Sequence, residues 1–345
     1  MDKLPYITKD IKGISGTIRE KPEYFMVEEL PAYEPEGKGE HLYINFTKKE
    51  LSTPEFQKQL AFIFNLNQND IGVAGLKDKH AITTQTASIC FEGKDKSEEA
   101  IKEVTDKIEK EINVKVNWYK FHTNKLKPGH LRGNKFTITI TNLNNIEEAF
   151  EKANNIASIL KQTGIPNFYG EQRFGMNGDN AEKGLAILKG ELKVRDRFEK
   201  KFLLSSFQSQ LCNKYLIKRI EMNFSKLIKG DICKKHDTGG LFVVEDLEKE
   251  QTRYNNKEIS FTAPMFGEKL WFSEGESGEI EKSIIQETGL TEEQIKRLGT
   301  GTRRLGRLLV DDLQVEKTNE GIKLSFTLLK GSFATIVLRE FCKND

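Results

Sequence analysis

Apolar and polar positions alternate with a period of two along several stretches and with a helical period along others, and the two textures interleave. Residues 13–30 alternate in a strand-like way, broken by Lys21-Pro22, so that Phe25–Leu30 reads as a strand beginning at an aromatic. His41–Phe46 alternates likewise. Ser52-Thr-Pro-Glu55 then offers a capping box with proline in the first helical turn, followed by Phe56, Leu60 and Ile63 on one helical face. A short apolar run, Ile71–Ala74, and a β-branched run, Ala81–Phe91, bracket a tight polar loop. Ser97 caps a further helix with the stripe Ile101, Val104 and Ile108. Phe136, Ile138 and Ile140 mark one face of a strand, and Ile146–Gln162 reads as a helix closed by Gly164.

Beyond Pro166 the texture changes. Residues 166–175, PNFYGEQRFG, crowd three aromatics, four polar side chains and two glycines into ten positions, a density expected of a packed or ligand-bound loop. From there to about residue 307 the chain reads as mostly helical and loop-rich. It holds helices at Asn180–Leu188 (ended by Gly190) and Leu203–Ile220, a β-like stretch over 242–272, and a helix opening at Thr291-Glu-Glu-Gln. A strand, Ile322–Leu329, and a helix after Gly331-Ser-Phe-Ala-Thr335 complete the pattern. The returning strand predicts that the C-terminus rejoins an N-terminal sheet, with one domain from 1–163 plus 308–345 and an inserted domain over 164–307.

Composition narrows the class. The 345 residues, 37% hydrophobic and 31% charged, are enough for two cores. No apolar run approaches a membrane span, and Met1-Asp-Lys-Leu-Pro lacks the apolar core of a signal peptide, so a cytoplasmic protein is expected. Cysteines at 90, 212, 233 and 342 form no C-x-x-C pair, and the five histidines form no ligand pair at helical spacing. No metal site, disulfide framework or cofactor is expected. The net charge of +2 does not mark a nucleic-acid binder, but local charge does. Residues 115–135 hold six Lys/Arg and no acid, interleaved with Trp118, Tyr119 and Phe121, and 296–307 is a second acid-free basic patch. Such segments suit phosphate contact and base stacking, although each alone also describes an ordinary solvated face. Lys120, Lys125, Arg132, Arg303 and Arg304 are the candidate RNA contacts.

The polar loop, Gly75-Leu-Lys-Asp-Lys-His-Ala-Ile-Thr-Thr-Gln85, is the candidate site of chemistry. It holds one carboxylate, Asp78, between Lys77 and Lys79, which favour the charged form and suit a polyanion. On composition it is equally a solvated turn. Its pattern G-x-K-D-x-x-A-x-T-x-Q, however, resembles the catalytic motif of the TruD family of tRNA pseudouridine synthases. Four further segments resemble that family in order. Pro22-Glu-Tyr-Phe25 stands where the family has P-E-D-F, with Tyr24 in place of aspartate. Gly133-Asn134 with Phe136, the 166–175 loop with Phe168 and Tyr169 exchanged in order, and Gly331-Ser-Phe-Ala-Thr335 follow.

The resemblance implies an α+β pseudouridine synthase catalytic fold around a mainly antiparallel sheet, with a smaller inserted α/β TRUD domain. It implies conversion of uridine to pseudouridine at position 13 of tRNA, with Asp78 attacking the flipped-out uridine. Phe25, Asn134, Phe136 and Phe333 would contact the base, Arg19 would pair with the aspartate, and Arg173 would be an anchor of the site or a structural ion-pair partner. A monomer acting on tRNA, with no protein partner, is expected. The alternative from another class is a non-catalytic RNA-binding protein; a metal-dependent nuclease is disfavoured because Asp78 stands among lysines rather than carboxylates.

Overall fold

The computed structural model describes residues 3–344, which divide into two compact units. One holds Ile14–Ala157, Asp311–Gly331 and Asn344. Its strands are β1 (Phe25–Pro31), β2 (His41–Lys49), β3 (Gly72–Val73), β4 (Ile82–Cys90), β5 (Val114–His122) and β6 (Leu131–Ile140). Helix α1 (Thr53–Ile63) follows β2, α2 (Glu98–Glu111) follows β4, and α3 (Ile146–Thr163) leads out of the unit. The capping box at Ser52 is present in full, Ser52 accepting from the Glu55 N–H while the Glu55 carboxylate accepts from the Ser52 N–H.

The second unit contains the chain up to Gly13, Ser158–Val310 and Ser332–Lys343. It adds β7 (Ile165–Pro166), α4 (Asn180–Lys189), α5 (Arg197–Asn223), β8 (Ile232–Lys235), β9 (Leu241–Val243), α6 (Leu247–Asn255), β10 (Ile259–Met265), α7 (Gly275–Thr288), α8 (Glu292–Lys296), β11 (Thr302–Leu305) and β12 (Arg307–Leu308). The chain then returns to the first unit as β13 (Gln314–Lys317) and β14 (Ile322–Leu329) before ending in α9 (Ala334–Cys342).

The first unit is built on an eight-stranded sheet, β13-β14-β6-β1-β4-β2-β5, with β3 also on β4. Among the described strands of this sheet only β1 and β4 run parallel; every other pair is antiparallel. Strands β1 and β14 alternate buried and more exposed positions, the pattern of a sheet with one packed face. Phe46 of β2 stacks on Phe56 of α1 at 3.9 Å, within a core that also takes Ile44, Ala87, Leu60, Ile101 and Ile108. β6 lies against β14 at Gly133 so closely that a Cβ there would stand 2.0 Å from the Leu328 carbonyl oxygen.

In the second unit a four-stranded sheet, β11-β10-β8-β9, carries the fully buried β10 at its centre. The stretch expected to be β-like over 242–272 is therefore two strands separated by α6, and α7 was not foreseen. The 27-residue α5 starts six residues earlier than its apolar stripe predicts, because Asp196 caps it by accepting from the Glu199 N–H. The unit boundaries also differ from the expected domain limits at both termini. The Glu340 carboxylate of α9 accepts from the N–H groups of Ile7 and Thr8, and Arg339 donates to the carbonyls of Leu4 and Pro5. These bonds tie the first residues and the last helix together in the unit of the chain's middle.

Candidate active site

The Asp78 loop is held from several sides. The Lys77 N–H donates to the Thr53 hydroxyl (2.9 Å), which donates in turn to Gln85 Oε1 (2.8 Å). The Lys77 ammonium turns inward to Glu29 Oε2 at 2.6 Å, with both side chains under 5% exposed. Glu29 Oε1 also accepts from the Thr86 N–H, so the pair bridges the loop to β1 and β4. The Lys48 ammonium of β2, itself buried, donates to the Leu51 carbonyl and to the Asp78 carbonyl (3.3 Å). Its burial, with the nearby Lys77 charge, pulls Lys48 down to about 8.

On this anchored loop the Asp78 side chain stays open to solvent, 44% exposed, and meets Arg19 at 3.5 Å. The Arg19 guanidinium also lies over the Phe25 ring, 4.3 Å from its centroid. Arg19 adopts a left-handed backbone (φ 63°), an uncommon conformation for a side chain of this size. Asp78, Arg19 and Phe25 thus form one constellation.

The packed face of the sheet carries a polar stripe beside it. Lys48 pairs with Thr83, Phe46 with Gln85, Val27 with Thr83 and Phe136, and Glu29 with Asn134, so these side chains share a face. Four buried atoms near this end of the sheet find no hydrogen-bond partner among the described residues: Arg19 Nε, Thr83 Oγ1, Gln85 Nε2 and Asn134 Oδ1. Buried polar groups are nearly always satisfied by protein, water or ligand, so these four atoms have bonding capacity that the protein side chains leave open. Asn134 Oδ1 is an acceptor, and the Arg19 and Gln85 nitrogens are donors. Phe136 is buried and stacked on Phe326 at 5.4 Å, and Phe25 is buried beneath Arg19.

The other sequence candidates fall into two groups. Lys79, Lys120 and Arg132 are exposed; Lys79 pairs with Glu55 at 2.7 Å and holds that carboxyl down near 2. Lys77, read as an RNA contact, is instead an internal ion-pair partner with no open surface to offer. Lys125 is half-buried, its ammonium on the Asn69 carbonyl. In the second unit Arg303 is corrected in the same way: it pairs with the buried Glu281 at 2.6 Å and donates to Thr262, Trp271 and Ser273. Arg304 donates to Asn167 and lies 4.1 Å over the Tyr169 ring. Arg173 donates to the hydroxyls of Ser205 and Ser209 and approaches Tyr169 from 5.8 Å, while Phe333 lies 6.2 Å from the same tyrosine. The 166–175 loop is therefore a packed arginine–aromatic cluster. Burial lowers Arg173 from its ordinary value and raises Tyr169.

Sequence reasoning gave no role to Thr83 and Gln85, which stand in the quoted motif, and passed over Lys48 and Glu29. Their signal was register: continuing the period-two pattern from Ile44 and Phe46 reaches Lys48, and from Phe25 and Val27 reaches Glu29. A charge on the inward face of a strand is uncommon and worth a partner search.

The family model described as tRNA pseudouridine synthase D (TruD) matches residues 2–195 and 194–341 of the chain. A relative named tRNA pseudouridine synthase D from Anaeromyxobacter dehalogenans (strain 2CP-C) is 37% identical over 355 residues, covering 100% of this chain and 98% of its own. Another of that name from Thermus thermophilus is 39% identical over 343 residues, covering 99% and 93%. A crystal structure of a putative tRNA pseudouridine synthase D from Methanosarcina mazei superposes with a TM-score of 0.78 at 26% identity, covering 99% of this chain and 96% of that one.

Proposed function

The chain belongs to the tRNA pseudouridine synthase D family, and from that premise we propose that it converts uridine to pseudouridine at position 13 of tRNA with Asp78 as its nucleophile. The observation that carries the assignment is the Asp78–Arg19–Phe25 constellation: a carboxylate open to solvent on a loop tied at Lys77, Thr53 and Lys48. A nucleophile must reach the substrate while its backbone stays fixed, and this loop meets both demands.

Pseudouridine formation breaks the bond between uracil N1 and C1′, turns the ring and joins C5 to C1′, with the C5 proton lost and a proton gained at N1. No atom is gained or lost in the net exchange. Attack by the Asp78 carboxylate divides that exchange into two steps, and Arg19 orients the carboxylate for it. A uridine inside folded tRNA must leave its stack, at a cost of roughly a few kcal/mol. The unpaired Asn134 Oδ1 suits the N3–H of uracil, and the unpaired donors Arg19 Nε and Gln85 Nε2 suit its carbonyl oxygens. Phe25 and Phe136 form the apolar bed of that face; Phe333 is assigned to the base on its Gly-Ser-Phe-Ala-Thr motif alone. Arg173 supports the 166–175 cluster rather than meeting a carboxylate of its own. The unit that carries Asp78, Ile14–Ala157 with Asp311–Gly331, is read as the catalytic domain and the unit of the chain's middle as the inserted domain; the protein acts as a cytoplasmic monomer on tRNA.

Asp78→Asn tests the reading. It keeps the size of the side chain and removes its charge, at an exposed position where substitutions usually cost within about 0.5 kcal/mol. Folding and tRNA affinity should survive, and pseudouridine at the target uridine should fall to background. A folded variant that still modifies tRNA near the parent rate removes Asp78 as nucleophile. A parent protein that binds tRNA and leaves position 13 unmodified removes the activity itself.

A further inference from the structure

One pocket of the second unit has a charge pattern unlike the rest of that unit. The first turns of α5 and the loop from Arg297 to Thr302 enclose about 690 Å³, lined by Arg197, Lys200, Lys201 and Arg297, with Leu204 and Leu298 as apolar lining. No acidic residue lines it. Two segments nearly a hundred residues apart in sequence therefore bring four cations to one concavity. All four are exposed, and none has a carboxylate partner among the described residues. Elsewhere in the unit Lys218 pairs with Glu287, Arg219 with Asp231, Arg253 with Glu250 and Arg303 with Glu281.

The pocket wall is built rather than loose. Gly299 and Thr300 give their carbonyls to the N–H groups of Glu268 and Lys269, at 2.9 and 2.6 Å. The approach is so close that a Cβ on Gly267 would stand 2.4 Å from the Gly299 carbonyl oxygen and 2.5 Å from the Gly301 nitrogen. Four unpaired cations around one concavity raise its positive potential, which an anion in the space would meet favourably. The positive end of the 27-residue α5 adds to the same potential. Phe198, 81% exposed beside Arg197, offers a free aromatic surface to a base.

We propose that this pocket, formed by Arg197, Lys200, Lys201 and Arg297, binds the phosphate backbone of the RNA substrate. The proposal rests on the RNA-modifying function above and joins Arg297, from the 296–307 basic patch, to three cations of α5 that the sequence reading did not name. These four cations replace Arg303 and Arg304, which internal partners occupy, as the RNA contacts of this unit.

The test is titration of the full-length protein with unmodified tRNA transcript over a range of salt. Changing all four residues to Gln should weaken binding and lower the slope of log affinity against log salt by about three to four, near one per lost phosphate contact. The triple change Arg197/Lys200/Lys201 and the single Arg297→Gln should divide that loss between them, which keeps the test open if the quadruple variant folds poorly. A control carrying Lys193→Gln, Lys226→Gln, Lys229→Gln and Lys249→Gln removes equal charge from exposed sites of the same unit and should leave the slope near the parent's. Equal losses in both sets reduce the effect to net charge and overturn the site. Unchanged affinity and slope in the pocket variant, with the parent still forming pseudouridine, overturns the site and spares the function. A parent that binds tRNA without modifying it defeats the function, and the pocket is still judged by its own slope. Inorganic phosphate serves as a separate probe: binding that the pocket variant loses while its RNA affinity stays intact assigns the pocket to a small anion and rejects RNA.

Discussion

Replacing Lys77 with Met isolates what the buried pair contributes. Methionine fills much the same volume and leaves Glu29 under 5% exposed, with the Thr86 N–H as its only other recorded donor. Removing one partner of a buried pair typically costs about 3–5 kcal/mol, because the remaining charge is left without compensation. At about 4 kcal/mol the folded-to-unfolded ratio of this unit drops roughly a thousandfold. Glu29→Gln placed on top of Lys77→Met removes the stranded charge and should recover most of the stability. Urea unfolding of the parent, both single variants and the double variant closes the cycle. A single variant that loses under about 1 kcal/mol, or a double variant no more stable than Lys77→Met, refutes the claim that this pair anchors the Asp78 loop.

Arg303→Ala should cost about 3–5 kcal/mol, because it strands Glu281, and should leave the salt slope of tRNA binding untouched; a lowered slope restores Arg303 as an RNA contact. Lys48 titrates near 8 in the folded chain, below the ordinary lysine value, so its charged form favours unfolding. That penalty is full below about pH 8 and fades as pH rises toward the unfolded value near 10.4, so the parent should gain stability relative to Lys48→Met across that window; a constant difference between the two proteins at about pH 7 and about pH 9.5 counts against it. Arg19→Met keeps an apolar cover on Phe25 but removes the partner of Asp78, and should lower kcat more than it raises KM; a pure KM effect makes Arg19 a binding group only.

Much of the first unit was legible where a strand has one packed face. Phe25–Leu30 and Ile322–Leu329 alternate as period two requires, whereas Leu42–Phe46 of β2 is buried on both faces although its sequence alternates; the capping box at Ser52 and Gly164 mark helix ends through local bonding that needs no tertiary context. The region around 242–272 was less legible for the converse reason. β10 is buried at all seven positions and so has no alternation to read, and α6, a nine-residue helix rich in polar residues, separates it from β9. Asp78 could be singled out from its motif, but its support could not. Lys48 and Glu29 come from two strands and are brought to the loop only through register, which one sequence specifies weakly.

Charge shows the same limit more sharply. A lysine or arginine reads alike in sequence whether it faces water or a buried carboxylate, so the acid-free stretches mixed both kinds. In the fold, Lys77 and Arg303 neutralise Glu29 and Glu281, and Arg304 rests on Asn167 and Tyr169. Lys120 and Arg132 remain exposed in the first unit, and Arg197, Lys200, Lys201 and Arg297 remain exposed in the second. An internal ion pair removes one charge of each sign from the surface, so it leaves the net charge of +2 unchanged while redistributing what a polyanion meets. The electrostatic footprint of a near-neutral RNA enzyme is thus set by which cations the fold leaves unpaired. Arg197 and its neighbours went unread because α5 brings acids with them in sequence, Asp196 and Glu199, whereas Asp196 is engaged in capping the helix and neither acid lines the pocket.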